Sequence, residues 1–127
     1  MNIEIEKEII RFFFLKNKQE RLIWELSDPG KRKSFRDRIA HPTLFDERYL
    51  YVSEMNNMDC LKLFLQEKSR KKEIYMIGES HIGEITIDDA IALLKKNEIC
   101  ILYCGNGVGY YQPEEDYGHF EKYILRR

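Results

Sequence analysis

The 127-residue chain has only three cysteines, Cys60, Cys100 and Cys104. So sparse and odd a set excludes a disulfide framework and points to reduced thiols. The apolar runs are short, Phe12-Phe13-Phe14-Leu15 among them, and none approaches a membrane-spanning helix. The start, Met1-Asn2-Ile3-Glu4, is acidic and lacks the basic n-region of a secretion signal, so the expected location is the cytoplasm. Net charge is also missing: 21 Lys and Arg face 22 Asp and Glu. That balance counts against a generic nucleic-acid binder. Histidine is scarce at three, with no His-x-x-x-His or Glu-x-x-His pair, and no Gly-x-x-x-x-Gly-Lys-Ser/Thr pattern occurs. No cofactor and no metal is therefore expected.

What remains is a chain with 43% hydrophobic and 34% charged residues, enough for one well-buried domain without staples. The whole of 1–127 is read as a single domain, with a helical part at 1–42 and a mixed α/β part at 43–127. Charge is uneven along it: residues 1–72 carry 16 basic and 12 acidic side chains, and residues 73–127 carry 5 and 10.

Ile5, Ile9, Phe12 and Phe13 share one helical face, and Leu22, Ile23 and Leu26 resume the stripe after a polar stretch. The break predicts two helices meeting near Asn17. Asp28-Pro29 predicts a capped third helix from Pro29 to about Ala40, ended by His41-Pro42. Arg48 to Val52 reads as a strand, and Met58 to Lys68 as a helix capped by Asn56 or Asn57. Glu73 to Gly78 reads as a strand, and Thr86 to Lys96 as a helix opened by Asp88 and Asp89. Ile99 to Cys104 is apolar throughout, as a strand covered on both faces would be. Gly105-Asn106-Gly107 marks a hairpin turn into Val108 to Gln112, and His119 to Leu125 closes the sequence as a strand. The expected fold is α+β: a helical N-terminal part packed on a small mixed sheet with a C-terminal antiparallel hairpin.

Four places carry chemistry. Cys104 ends a buried strand before a glycine turn, and His119 or His81 would serve it as a base in a cysteine-dependent enzyme. His81 lies in the glycine-flanked segment Gly78-Glu79-Ser80-His81-Ile82-Gly83-Glu84, read as a loop between a strand and a helix. Lys31, Arg32, Lys33 and Arg36 make the third helix basic, which would suit weak phosphate contact. Tyr110, Tyr111, Glu114, Glu115, Asp116 and Tyr117, followed by Glu121 and Tyr123, form an acidic and aromatic end suited to a basic protein partner.

In size, in this acidic and aromatic surface and in its lack of a catalytic signature, the chain resembles small bacterial immunity and antitoxin-type proteins. The resemblance is one of class and rests on no motif. It implies a non-catalytic protein-binding domain, and that is the leading functional expectation.

Overall fold

A computed structural model describes residues 2–55, 57–70, 73–115 and 121–127. Helix α1 (Ile3–Phe13) begins where the Asn2 side chain accepts from the Glu4 and Ile5 amides. A 3-10 turn at Lys16–Lys18 separates it from α2 (Gln19–Ser27), so the polar stretch does divide two helices. The third helix, α3 (Arg32–Arg38), is shorter than the sequence suggests. Asp28 caps no helix starting at Pro29; its carboxylate closes a tight turn onto the Gly30 amide at 2.9 Å. The helix therefore starts after that turn.

The sheet contains β1 (Leu50–Val52), β2 (Glu73–Gly78), β3 (Ile82–Thr86), β4 (Cys100–Gly105), β5 (Val108–Gln112) and β6 (Tyr123–Arg126). Helix α4 (Met58–Ser69) is capped by Asn57 and ended by Arg70 in the left-handed region. Helix α5 (Ile87–Leu94) is capped by Thr86. The strand order is β1-β6-β5-β4-β2-β3. Every pairing among these strands is antiparallel, so the α+β class stands but the sheet is not mixed. Strand β3 begins one residue after His81 and takes up the last three residues of the segment read as a loop, Ile82, Gly83 and Glu84. Its one buried isoleucine, Ile85, alternates with exposed Glu84 and Thr86, too weak a pattern to stand out. The expected last strand, 119–125, is described only from Tyr123; residues 119 and 120 lie outside the described set.

Period-2 alternation sends neighbouring residues of the central strands to opposite faces. Tyr75, Ile77, Ile101, Tyr103 and Tyr111 pack under α1, α2 and α3. Ile74, Met76, Cys100, Leu102 and Tyr110 pack under α4 and α5. Two layers of helix thus enclose the sheet, which explains why β4 lacks polar alternation. Across the first face runs an aromatic column. Phe14 stacks on Phe45 with centroids 4.3 Å apart, Phe45 on Tyr111 at 4.3 Å, and Tyr111 on Tyr123 at 5.9 Å.

Candidate functional site

The Cys–His pairing does not assemble with His81. Gly78 pairs with Cys100, so the β2–β3 turn holding His81 sits beside the start of β4. Cys104 lies four residues further along, about 13 Å away at strand rise. His81 closes its own turn, Nε2 lying 2.9 Å from the Glu84 carbonyl. Cys104 points among the apolar side chains under α4, where burial pushes its thiol up to about 12, against a smaller opposing pull from Lys68. Such a thiol is not an activated nucleophile. A cavity of about 640 Å³ adjoins Cys104, with Glu8, Glu73 and Glu84 among its walls and no histidine in its described lining. His119 lies outside the described residues.

The glycine run behaves as a turn. Gly105, Asn106 and Gly107 have φ of 91, 53 and 74°, and the chain returns as β5. A Cβ at Gly109 would meet the Leu102 carbonyl oxygen at 2.5 Å, so that glycine lets β5 lie against β4. No helix follows to hold a phosphate.

The basic helix is only partly a solvent face. Arg32 turns inward: Nη2 lies 2.9 Å from Oε1 of fully buried Glu6, and Nη1 donates to the Leu26 carbonyl at 2.7 Å. Arg36 donates to the Glu79 carbonyl at 3.0 Å. Lys31 leans over the ring of half-exposed Trp24, with Arg21 on the same indole at 5.4 Å. Of the four cations, Lys31 and Lys33 make no side-chain hydrogen bond or ion pair among the described residues.

The acidic and aromatic end also divides. Tyr110 and Tyr111 are core residues on opposite faces of the sheet and offer nothing to a partner. Aromatic side chains on a doubly covered strand have nowhere else to go, and strand parity sends one to each side. Burial raises both phenols, and Tyr111 donates to the Ile39 carbonyl at 2.5 Å. Asp116 and Tyr117 lie outside the described residues. Glu114 and Glu115 are on the surface. Glu115 faces Lys122 at 3.5 Å.

Glu114 belongs to a cleft of about 260 Å³ between residues 40–43 and the ends of β5 and β6. The Glu114 amide donates to the Ala40 carbonyl at 2.9 Å, which ties the two walls together. His41 Nε2 stands 3.8 Å from the Glu114 carboxylate on the rim. Across the cleft, the Tyr123 hydroxyl donates to Glu121 at 3.1 Å, and burial followed by that carboxylate raises the phenol. Pro42 and Pro113 complete rigid apolar walls. The aromatic column therefore ends at a tyrosine that bonds one carboxylate, Glu121, in a cleft that also holds Glu114. In the sequence, His41-Pro42 signals only a helix stop; its place beside Glu114 comes with the long-range bond from the Glu114 amide to the Ala40 carbonyl.

Among the described residues, no group of three or more His, Cys, Asp or Glu side chains is placed to hold a metal ion. No helix among them is long and apolar enough to cross a membrane. Compared with protein-family models, curated proteins and solved structures, the chain matches none of them.

Proposed function

We propose that this chain is a non-catalytic protein-binding domain, in the manner of small immunity and antitoxin proteins, that meets a basic partner at the cleft holding Glu114, Glu121 and Tyr123. The observation that carries the reading is the composition of that cleft: two carboxylates beside a tyrosine, between proline walls. A Lys or Arg side chain entering it would gain charge-assisted hydrogen bonds from the carboxylates and the face of the Tyr123 ring. Glu115, on the adjoining surface, is paired with Lys122, which leaves Glu114 and Glu121 as the carboxylates that steer such a partner. The three free thiols suit a cytoplasmic setting.

The test is an NMR titration with an Arg- and Lys-rich peptide, with an acidic peptide as control. Amide shifts are expected at Glu114, Glu121 and Tyr123 with the basic peptide alone. They should weaken at least tenfold in a Glu114→Lys, Glu121→Lys variant and fall with salt. Shifts that map elsewhere, or that survive the double reversal, refute the reading.

A second reading, weak nucleic-acid contact near the basic helix, is favoured by one observation. Trp24 is 50% exposed with Arg21 and Lys31 over its ring. With Arg32 turned inward, at most a few phosphates would be engaged, each adding about −0.9 to the slope of log affinity against log salt. Duplex and single-stranded DNA titrated at about 50 mM salt, where phosphate contacts are strong, decide it. Undetectable binding, or binding unchanged in Lys31→Glu, removes this reading.

A further inference from the structure

The apolar rows of the sheet run off its β1 edge. Strand pairing traces one row through Tyr51, Ile124, Tyr110, Leu102, Met76 and Gly83. The neighbouring row, on the opposite face, passes from Ile77 through Ile101, Tyr111 and Tyr123 to Val52. Tyr51 and Val52 end these rows 51% and 54% exposed. The far edge is different: β3 presents exposed Glu84 and Thr86, and Gly83 at φ 136° disturbs its line. That is how natural sheets discourage a further strand. Within β1 itself there is no charge, no proline and no glycine.

Backbone parity decides what β1 offers. The Ser53 amide donates to the Lys122 carbonyl at 2.7 Å. In an antiparallel ladder this turns the polar groups of Ser53 and Tyr51 toward β6, and those of Leu50 and Val52 outward. The Leu50 amide is taken by the Glu47 carbonyl. The Val52 N–H and the Leu50 C=O have no partner among the described residues.

We propose that β1 pairs antiparallel with β1 of a second copy of this chain, about a twofold axis at Tyr51, joining the two six-stranded sheets edge to edge. In this register the Val52 N–H donates to the Leu50 carbonyl of the second copy, and the symmetric bond forms in return. Tyr51 meets its own counterpart in a non-hydrogen-bonded position, where cross-strand side chains approach most closely. Leu50 lies opposite Val52. Just beyond the ladder, Arg48 and Glu54 stand three residues on either side of Tyr51, so the axis brings each toward the other's opposite charge. Both are exposed, and Asp46 holds the Arg48 guanidinium at 2.7 Å. This self-complementarity of charge and apolar pairs favours a second copy over an unrelated strand. So short a ladder makes a reversible dimer, not an obligate one.

Sedimentation velocity over a concentration series tests the pairing. The chain is expected to dimerise with a dissociation constant of order micromolar, so that dimer dominates at about 100 μM. Val52→Pro removes an outward N–H alone, a substitution edge strands tolerate, and should weaken association at least tenfold with circular dichroism unchanged. Tyr51→Lys places like charges at the axis and should weaken it comparably; it carries the test if the proline variant fails to fold. Glu54→Arg should weaken association and Arg48→Glu added to it should restore it. Reversal of Glu114 and Glu121 should leave it untouched. A monomer at about 100 μM, or a dimer indifferent to Val52→Pro, Tyr51→Lys and the charge exchange, overturns the proposal.

Discussion

Arg32 reaches from α3 to α1 and grips Glu6 with one nitrogen, Nη2 lying 2.9 and 3.0 Å from the two carboxylate oxygens. Glu6 is wholly buried and also accepts from the Tyr75 hydroxyl, so one carboxylate joins two helices to the sheet. The Asn2 amide donates to the same phenol at 2.8 Å, which brings the start of α1 into the network. A buried ion pair of this kind need not add net stability, because both charges were desolvated to make it. Losing one partner is another matter, since the other charge stays buried.

Arg32→Ala is therefore expected to destabilise the fold by about 3–5 kcal/mol. Its neighbour Lys33, exposed on the same helix, should tolerate alanine within about 0.5 kcal/mol. Urea unfolding of both variants checks the contrast. Equal effects would mean that the Glu6 pairing does not form.

The same pair shows how far the sequence can be read. Lys31, Arg32, Lys33 and Arg36 look alike in a charge run, and only a buried acid 26 residues upstream separates Arg32 from the rest. Helix spacing places Glu6 between the apolar positions of α1, but nothing local announces its partner. Features governed by neighbours in sequence were legible. Asn57 and Thr86 cap their helices, Gly105-Asn106-Gly107 turns the hairpin, and the apolar run of β4 is covered on both sides. Features governed by distant pairing were not. Strand β3 carries too little apolar signal to declare itself, and the purely antiparallel order depends on which strands meet. Tyr110 and Tyr111 resemble a binding surface by composition, and it takes the covering helices to show that they are core.

Tyr111 has 0% exposure and lies at the middle of the aromatic column, so its substitution tests folding and not recognition. Tyr111→Ala should cost about 3–5 kcal/mol, the range for emptying a large aromatic site. Tyr111→Phe keeps the ring stack and strands the Ile39 carbonyl, for about 1–3 kcal/mol. Because that carbonyl belongs to the segment leading into the cleft, Tyr111→Phe should also move the Ala40 and Glu114 amide resonances. A phenylalanine variant as stable as the parent would remove the hydroxyl from the account.

Buried thiols and phenols give the protein an alkaline limit. Burial lifts Cys104 from an ordinary 9.0 to about 12, and Tyr75 from 10.0 to about 12. Cys100, Tyr103, Tyr110 and Tyr111 are raised for the same leading reason. Each group keeps its proton longer folded than unfolded, so above the ordinary value the unfolded chain binds fewer protons than the native one. Stability then falls as pH rises. The contribution is intact below pH 9, begins to drop near the ordinary thiol value of 9.0, and is lost for Cys104 by about 12. Urea midpoints should hold steady from about pH 7 to 9 and decline beyond, on the same linkage. With Cys100→Ala and Cys104→Ala together, the decline should start nearer 10, where the tyrosines take over. Iodoacetamide gives an independent check: exposed Cys60 should label in the native state, and Cys100 and Cys104 only on unfolding. Midpoints that stay flat to pH 11, or native labelling of Cys104 as fast as that of Cys60, would show that the thiol is not enclosed as the structure has it.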